Sequence, residues 1–248
     1  MTFPSPPDGA PARTSEPAAV DHTLGGVAHE IRNALFAVVM TLEALEISEP
    51  SAAELSGFVA ALRRQLEPLH ALAADLALLD DPPAAGLAPA SFATLLRAAS
   101  ERCASERPEA PKVVIAGAQM TEARVHVEHA SVLRALTHLF SYALARSADG
   151  FEVRPVVRDV IDAGEPHLEC IIEDNGPTLH AGHLPHLFDA FLPRSRGGFD
   201  LRLATVRRVI ERHGGTIHAE GAPAGGTRIV FRLPTTGAVH TPAQATPR

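Results

Sequence analysis

Between Leu24 and Leu45 the apolar side chains fall at Leu24, Ala28, Ile31, Leu35, Val38, Leu42 and Leu45. Alternating steps of three and four are the helical template, and a seam near the 3.5-residue repeat packs one helix along another. At about 100° per residue, His29 and Asn33 lie one turn apart on the opposite face. The pattern predicts a helix over 21–48 that presents an imidazole to solvent. Pro50 disfavours helix at the residue before it. Ser51-Ala52-Ala53-Glu54 is a capping box, followed by Leu55, Phe58, Leu62, Leu66, Leu69, Ala73, Leu76 and Leu79 at the same spacing. So short a turn makes the pair an antiparallel hairpin, within which Pro68 is expected to kink or loosen one turn. Two helices cannot hide both wide stripes alone, so a homodimer closing a four-helix bundle is the expected remedy. The alternative is a hairpin packed on the rest of its own chain.

After the Asp-Asp-Pro-Pro linker the periods mix. Helices are expected over 91–105, 131–146 and 199–213, the last stopped by Gly214-Gly215. Strands are expected over 112–115, 124–127, 151–160, 167–173, 216–219 and 227–233, with 221–226 as a hairpin turn. The organisation reads as a disordered tail over 1–20, with five prolines, then a hairpin over 21–81 and a linker over 82–87. A mixed α and β domain over 88–234 and a second disordered tail over 235–248 complete it.

Composition narrows the classes. The formal net charge of −7, with Arg and Lys scattered, argues against nucleic acid as the main partner. No run of 18 apolar residues exists and the proline-rich N-terminus has no apolar core, so neither a membrane span nor a signal peptide is expected and the cytoplasm is the default. Cys103 and Cys170 form no C-x-x-C pair and read as core.

The motifs carry a family resemblance. His29-Glu30-Ile31-Arg32-Asn33, followed by a helical hairpin, resembles the phosphoacceptor box of sensor histidine kinases, HE-x-[RK]-[NT]-P, with Ala34 in place of the proline. The second half is similar to their ATP-binding domain, an α/β sandwich shared with Hsp90-type ATPases. Asp174-Asn175-Gly176-Pro177 matches the first glycine box, Leu187 to Phe191 the aromatic box, and Gly225-Gly226-Thr227 the last glycine box. The resemblance thus implies an α+β protein, a dimerising four-helix hairpin domain followed by the ATPase sandwich. It implies His29 as phosphoacceptor, Glu30 acting on its other ring nitrogen, Arg32 steering phosphoryl, and Asn33 orienting water in dephosphorylation. Asp174 and Gly176 would mark a vestigial adenine site.

Departures from the family pattern fall on the phosphate and metal half. In the N box, NLLxNAxK, the asparagine positions are His138 and Tyr142 and the lysine position is Ala145. The second asparagine normally helps hold Mg²⁺, which wants oxygen ligands, and a neutral tyrosine hydroxyl is a poor substitute. Thr178 and Asp200 replace glycines that let backbone amides approach a triphosphate. Efficient autophosphorylation is therefore not expected, and no cofactor or bound metal is. A neutral imidazole remains a good nucleophile towards phosphorus. The expectation is a two-component relay protein, His29 exchanging phosphoryl with response-regulator receiver aspartates and an upstream phosphodonor protein. The rivals are an ATP- and Mg²⁺-dependent kinase with an unorthodox lid, and a receiver-binding scaffold without phosphorylation. His70 reads as surface or bundle packing, and His180, His183 and His186 as loop histidines with no acidic partner spaced with them.

Overall fold

The computed structural model describes residues 16–48, 50–80, 86–106, 112–115, 123–148, 151–190, 192–193 and 199–235. The chain divides into two compact units, one up to Leu69 together with Pro193–Phe199, the other comprising His70–Leu192 and the residues from Asp200 on.

Helices α1 (Glu16–Ile47) and α2 (Ala52–Asp80) make the hairpin. α1 begins five residues ahead of the expected Asp21, inside the stretch read as a disordered tail. Pro17 is preset for a first helical turn and Ala18-Ala19 favour its continuation. At the turn the capping box forms as its spacing demands. The Ser51 N–H and hydroxyl donate to Glu54 Oε2 at 2.9 and 2.7 Å, and the Glu54 N–H returns a bond to Ser51 Oγ at 3.4 Å. The Ser51 hydroxyl, then its backbone N–H, hold the Glu54 carboxyl below the usual range. Pro68 lies within α2, whose helical run continues to Asp80.

In the first unit, Gln65 donates to Thr41 Oγ1 at 2.8 Å across the hairpin. Ile31, Val38 and Leu45 of the expected seam are half-buried, whereas Leu35 and Leu42 stay exposed. Phe36, Val39, Met40, Leu55, Val59 and Leu66 are exposed as well. A helix pair covers one narrow strip of each partner, so stripes wider than about 100° must stay partly open.

The second unit holds α3 (Phe92–Glu106), α4 (His129–Arg146) and α5 (Arg202–Arg212) with a four-stranded antiparallel sheet. Its strands are β3 (Val156–Asp162), β4 (Glu165–Glu173), β7 (Thr216–Gly221) and β8 (Thr227–Pro234), in the order β3-β4-β8-β7. β1 (Ala88–Ser91) pairs with β2 (Arg124–Val127), and the two-residue strands β5 (Leu192–Pro193) and β6 (Phe199–Asp200) pair with each other. Register puts Leu168 opposite Leu233, Cys170 opposite Phe231 and Ile172 opposite Ile229, all buried among the helices. Of the intervening pairs, Ile171–Val230 is apolar and Glu169–Arg232 is charged. Arg158 and Arg232 bracket the buried Glu169, Arg158 Nε at 2.7 Å and Arg232 Nε at 2.8 Å. Burial pushes the Glu169 carboxyl up, but the two guanidinium groups outweigh it and hold it low.

Three local departures have local reasons. β1, Ala-Pro-Ala-Ser, has no strand composition and forms because β2 offers a pairing edge. The strand expected over 112–115 is a single parallel bridge from Val113 to Val153. β3 starts only after Pro155, which has no N–H for a ladder. Gly214, at φ +72°, ends α5 in the left-handed conformation that a side chain resists. Among the described residues no helix is long and apolar enough to cross a membrane.

Candidate functional site

His29, Glu30, Arg32 and Asn33 lie together in α1, in the first unit. Arg32 and Asn33 are exposed; the side chains of His29 and Glu30 lie outside the described residues. Asp174 and Gly176 lie in the second unit, where β4 ends.

The geometry there is set by α4. Arg134, His138, Tyr142 and Arg146 recur every four residues, so they form one ridge along that helix. At one end Asp75, 4% exposed, accepts from Arg134 Nε at 2.6 Å and lies 2.9 Å from His138 Nε2. Arg134 also donates to the Ala71 carbonyl at 2.6 Å. At the other end Asp174, 3% exposed, accepts at Oδ1 from the Gly176 N–H at 2.9 Å and at Oδ2 from Arg146 Nε at 3.2 Å. The second nitrogen of that guanidinium donates to the Pro177 carbonyl, and its carbon lies 5.5 Å from the Tyr142 ring centroid. Each buried acid beside the ridge is thus answered by an arginine.

Two glycines make this packing possible. A Cβ on Gly176 would overlap the Arg146 carbonyl and sit 3.1 Å from the Arg146 Cβ. A Cβ on Gly226, at φ +90°, would overlap the Asp174 carbonyl and come 2.9 Å from Asp174 Oδ1. Next to it, Thr227 is 1% exposed and its Oγ1 has no hydrogen-bond partner among the described residues. The Asp174 N–H donates to the Thr227 carbonyl at 3.0 Å, which locks the loop after β4 onto the start of β8.

The resemblance brings ATP and Mg²⁺ to this place, and the residues can be tested against them. The purine end has closely packed glycines and a buried hydroxyl with no hydrogen-bond partner among the described residues. Its carboxylate, however, is already in an ion pair. At the metal end His138 is engaged with Asp75, and Tyr142 lies under a cation. Neither supplies the carboxamide or carboxylate oxygen that Mg²⁺ requires. Among the described residues, the donors at these two positions do not fit a magnesium-bound triphosphate. The side chains of Phe199 and Asp200 and the whole of 194–198 lie outside the described residues.

The remaining candidates resolve simply. His186 does find an acid, Asp189 Oδ2 at 2.8 Å, a partner that sequence spacing did not suggest. His180 and His183 contact each other with ring centroids 5.8 Å apart. No group of three or more His, Cys, Asp or Glu side chains among the described residues could hold a metal ion. Cys103 and Cys170 are buried and form no disulfide among the described residues, and burial pushes the Cys170 thiol far up. His70 is exposed on α2. Sequence reasoning missed Arg146, Asp75 and His213. The first stands one turn beyond Tyr142 on the same ridge, and the second is the lone acid between Leu69 and Leu79. His213 gave no signal; its ring joins the Val209 carbonyl to the Glu128 N–H.

Comparisons with known proteins agree with this architecture. Residues 128–237 match the family described as Histidine kinase-, DNA gyrase B-, and HSP90-like ATPase. The chain is 24% identical over 228 residues to the Sensor histidine kinase ZraS of Klebsiella oxytoca, covering 92% of this chain and 49% of that one. Over 66 residues it is 41% identical to the Sensory histidine kinase/phosphatase NtrB of Rhizobium leguminosarum bv. phaseoli, covering 27% of this chain and 16% of that one. In fold it is similar to the Acinetobacter baumannii histidine kinase AdeS, with a TM-score of 0.58 at 19% identity over 84% of this chain and 98% of that one. The chain spans about half the length, or less, of these curated relatives. Residues 128–237 thus carry the domain of that ATPase family, and hairpin, sandwich and motif order together resemble those of the histidine kinases of two-component signalling.

Proposed function

We propose that this chain is a histidine phosphotransferase, dimeric through its hairpin, whose ATPase-like domain (88–234) has given up phosphoryl transfer from ATP. His29 takes phosphoryl from a phospho-aspartyl donor and passes it to a receiver aspartate. A ring-nitrogen lone pair attacks phosphorus, a P–N bond forms, and the P–O bond to the aspartyl group breaks, leaving a carboxylate with the electron pair. The proton on the other ring nitrogen is held by Glu30, which sets the tautomer and takes up positive charge as the bond forms. Arg32 draws in the phosphoryl oxygens, a role suited to a guanidinium. Asn33 orients water when a receiver is dephosphorylated; a relative's description as a kinase/phosphatase supports that direction.

The observation that carries the reading is the fate of the two N-box positions. Phosphoryl transfer from ATP rests on positioning and on charge neutralisation by a metal. Here His138 is bound to Asp75 and Tyr142 is capped by Arg146, so the helix that should hold the metal holds its own acids instead. The exposed stripe of Leu35, Phe36, Val39 and Met40 on α1 supports the homodimer, because a monomer would leave it in water. One observation favours the rival kinase: the unpartnered Thr227 hydroxyl between intact Gly226 and Asp174.

The deciding experiment is phosphorylation of the purified chain, first with labelled ATP and Mg²⁺, then with a phosphorylated receiver. The relay predicts label only from the receiver, lost in His29→Ala. Label from ATP alone sinks it in favour of the kinase, and label from neither source leaves the scaffold.

A further inference from the structure

We infer that Arg146 is the resident occupant of the purine end of the site, closing it to nucleotides with the chain's own guanidinium. The inference deepens the relay reading and rests on it only in asking why the domain stays empty of ATP.

Asp174 is the group the resemblance assigns to adenine, and a purine amine would reach it as a neutral donor. Arg146 reaches it as a cation, and a charge-assisted bond is roughly twice as strong as a neutral one. The guanidinium makes a second bond to the Pro177 carbonyl on the same loop, so a competing base must break both. The planar cation also lies over the Tyr142 ring at 5.5 Å, an arrangement that favours a stacked, partly desolvated guanidinium. Its position is pinned from behind. Gly176 presses on the Arg146 carbonyl so closely that no side chain would fit between them, so the backbone that carries Arg146 is held against the loop that carries the carboxylate.

The occupation is incomplete in one respect. Thr227 Oγ1 is buried beside Asp174 with no hydrogen-bond partner among the described residues. An arginine offers only donors along a fixed fork, here used on Asp174 and Pro177, and no acceptor for the hydrogen of that hydroxyl. A purine offers ring acceptors that a threonine hydroxyl can satisfy. Removing the guanidinium should therefore uncover a carboxylate and a hydroxyl already arranged for a purine.

The test is a fluorescence titration with N-methylanthraniloyl-ADP, with and without Mg²⁺, on the full chain. Wild type, Arg146→Ala, Arg146→Gln and the double variant Arg146→Ala/Asp174→Asn are compared, each checked for fold by circular dichroism. Arg146→Ala should bind at least about tenfold more tightly than wild type, the scale of one lost charged hydrogen bond. The gain should vanish in the double variant. Arg146→Gln keeps an amide for the loop and carries the comparison should the alanine variant misfold. Wild type binding as tightly as a folded variant, or wild type gaining thermal stability from ADP, overturns the inference. So does a folded Arg146 variant that gains no affinity. The titration involves no phosphorylation, so labelling of His29 decides the relay reading separately.

Discussion

Asp75 and His138, 63 residues apart in sequence, meet at 2.9 Å inside the second unit. The first asparagine position of the N box that the sequence resembles has become half of a structural acid–imidazole contact. Burial alone pushes the Asp75 carboxyl up; hydrogen bonds from His138 and Arg134 outweigh it and hold it below its ordinary value. Asp75→Ala should destabilise the second unit by about 2–4 kcal/mol in urea titrations, since it strands the largely buried Arg134 and His138. A folded-state pKa below 3.8 makes the Asp75 contribution complete above that pH and lost as pH falls through the lowered value. The variant should accordingly show a flatter stability profile below about pH 4.

His213 gives the second pH prediction. Its Nδ1–H donates to the Val209 carbonyl at 2.7 Å, and Nε2 accepts from the Glu128 N–H at 3.0 Å. That arrangement needs the neutral ring, and burial lowers its pKa from 6.5, with Arg212 adding to the effect and Glu128 opposing it. Its stability is present above pH 6.5 and drains away as pH falls towards the lowered value. Thermal melts should show a fall in Tm between pH 7.5 and 5 that is smaller in His213→Gln, which cannot titrate.

Gly226 should not tolerate a side chain. Gly226→Ala must adopt φ near +90° and push the Asp174 carbonyl aside. A loss of about 2 kcal/mol or more is expected in urea unfolding. Gly221→Ala, at the other end of the same turn, meets nothing within 4 Å and should be close to neutral.

On α1, His29→Ala should abolish phosphoryl acceptance from a receiver while far-ultraviolet circular dichroism stays unchanged, because alanine suits a helix. Asn33→Ala should still accept phosphoryl but lose dephosphorylation of the receiver by roughly tenfold or more, the scale of a lost water-orienting group. Equal losses of both activities in Asn33→Ala would point to a damaged docking face instead.

Much of the fold was legible in the sequence because its signals are local. The Ser51–Glu54 box, the three-four stripes of α1 and α2, and the alternation of Leu168, Cys170 and Ile172 each fix their element without a distant partner. β1 was not legible, because Ala-Pro-Ala-Ser becomes a strand only through β2. The site was half legible. Motif comparison located Asp174, Gly176, His138 and Tyr142, but not what replaced the lost chemistry. Arg146 meets Asp174 across 28 residues and Arg134 meets Asp75 across 59, and pairings at that separation exist only once helices have packed.

The open stripe on α1 and α2 has a consequence for how the molecule must be handled and how a cell would keep it. A hairpin that leaves Phe36 66% exposed carries only half of an interior. Anything that covers the other half binds the folded form and not the unfolded one, so stability rises with the logarithm of concentration. The first unit should melt at lower temperature on dilution while the second keeps its own transition. On the proposed homodimer, a cell's copy number would then set how much of the chain has an intact His29 helix.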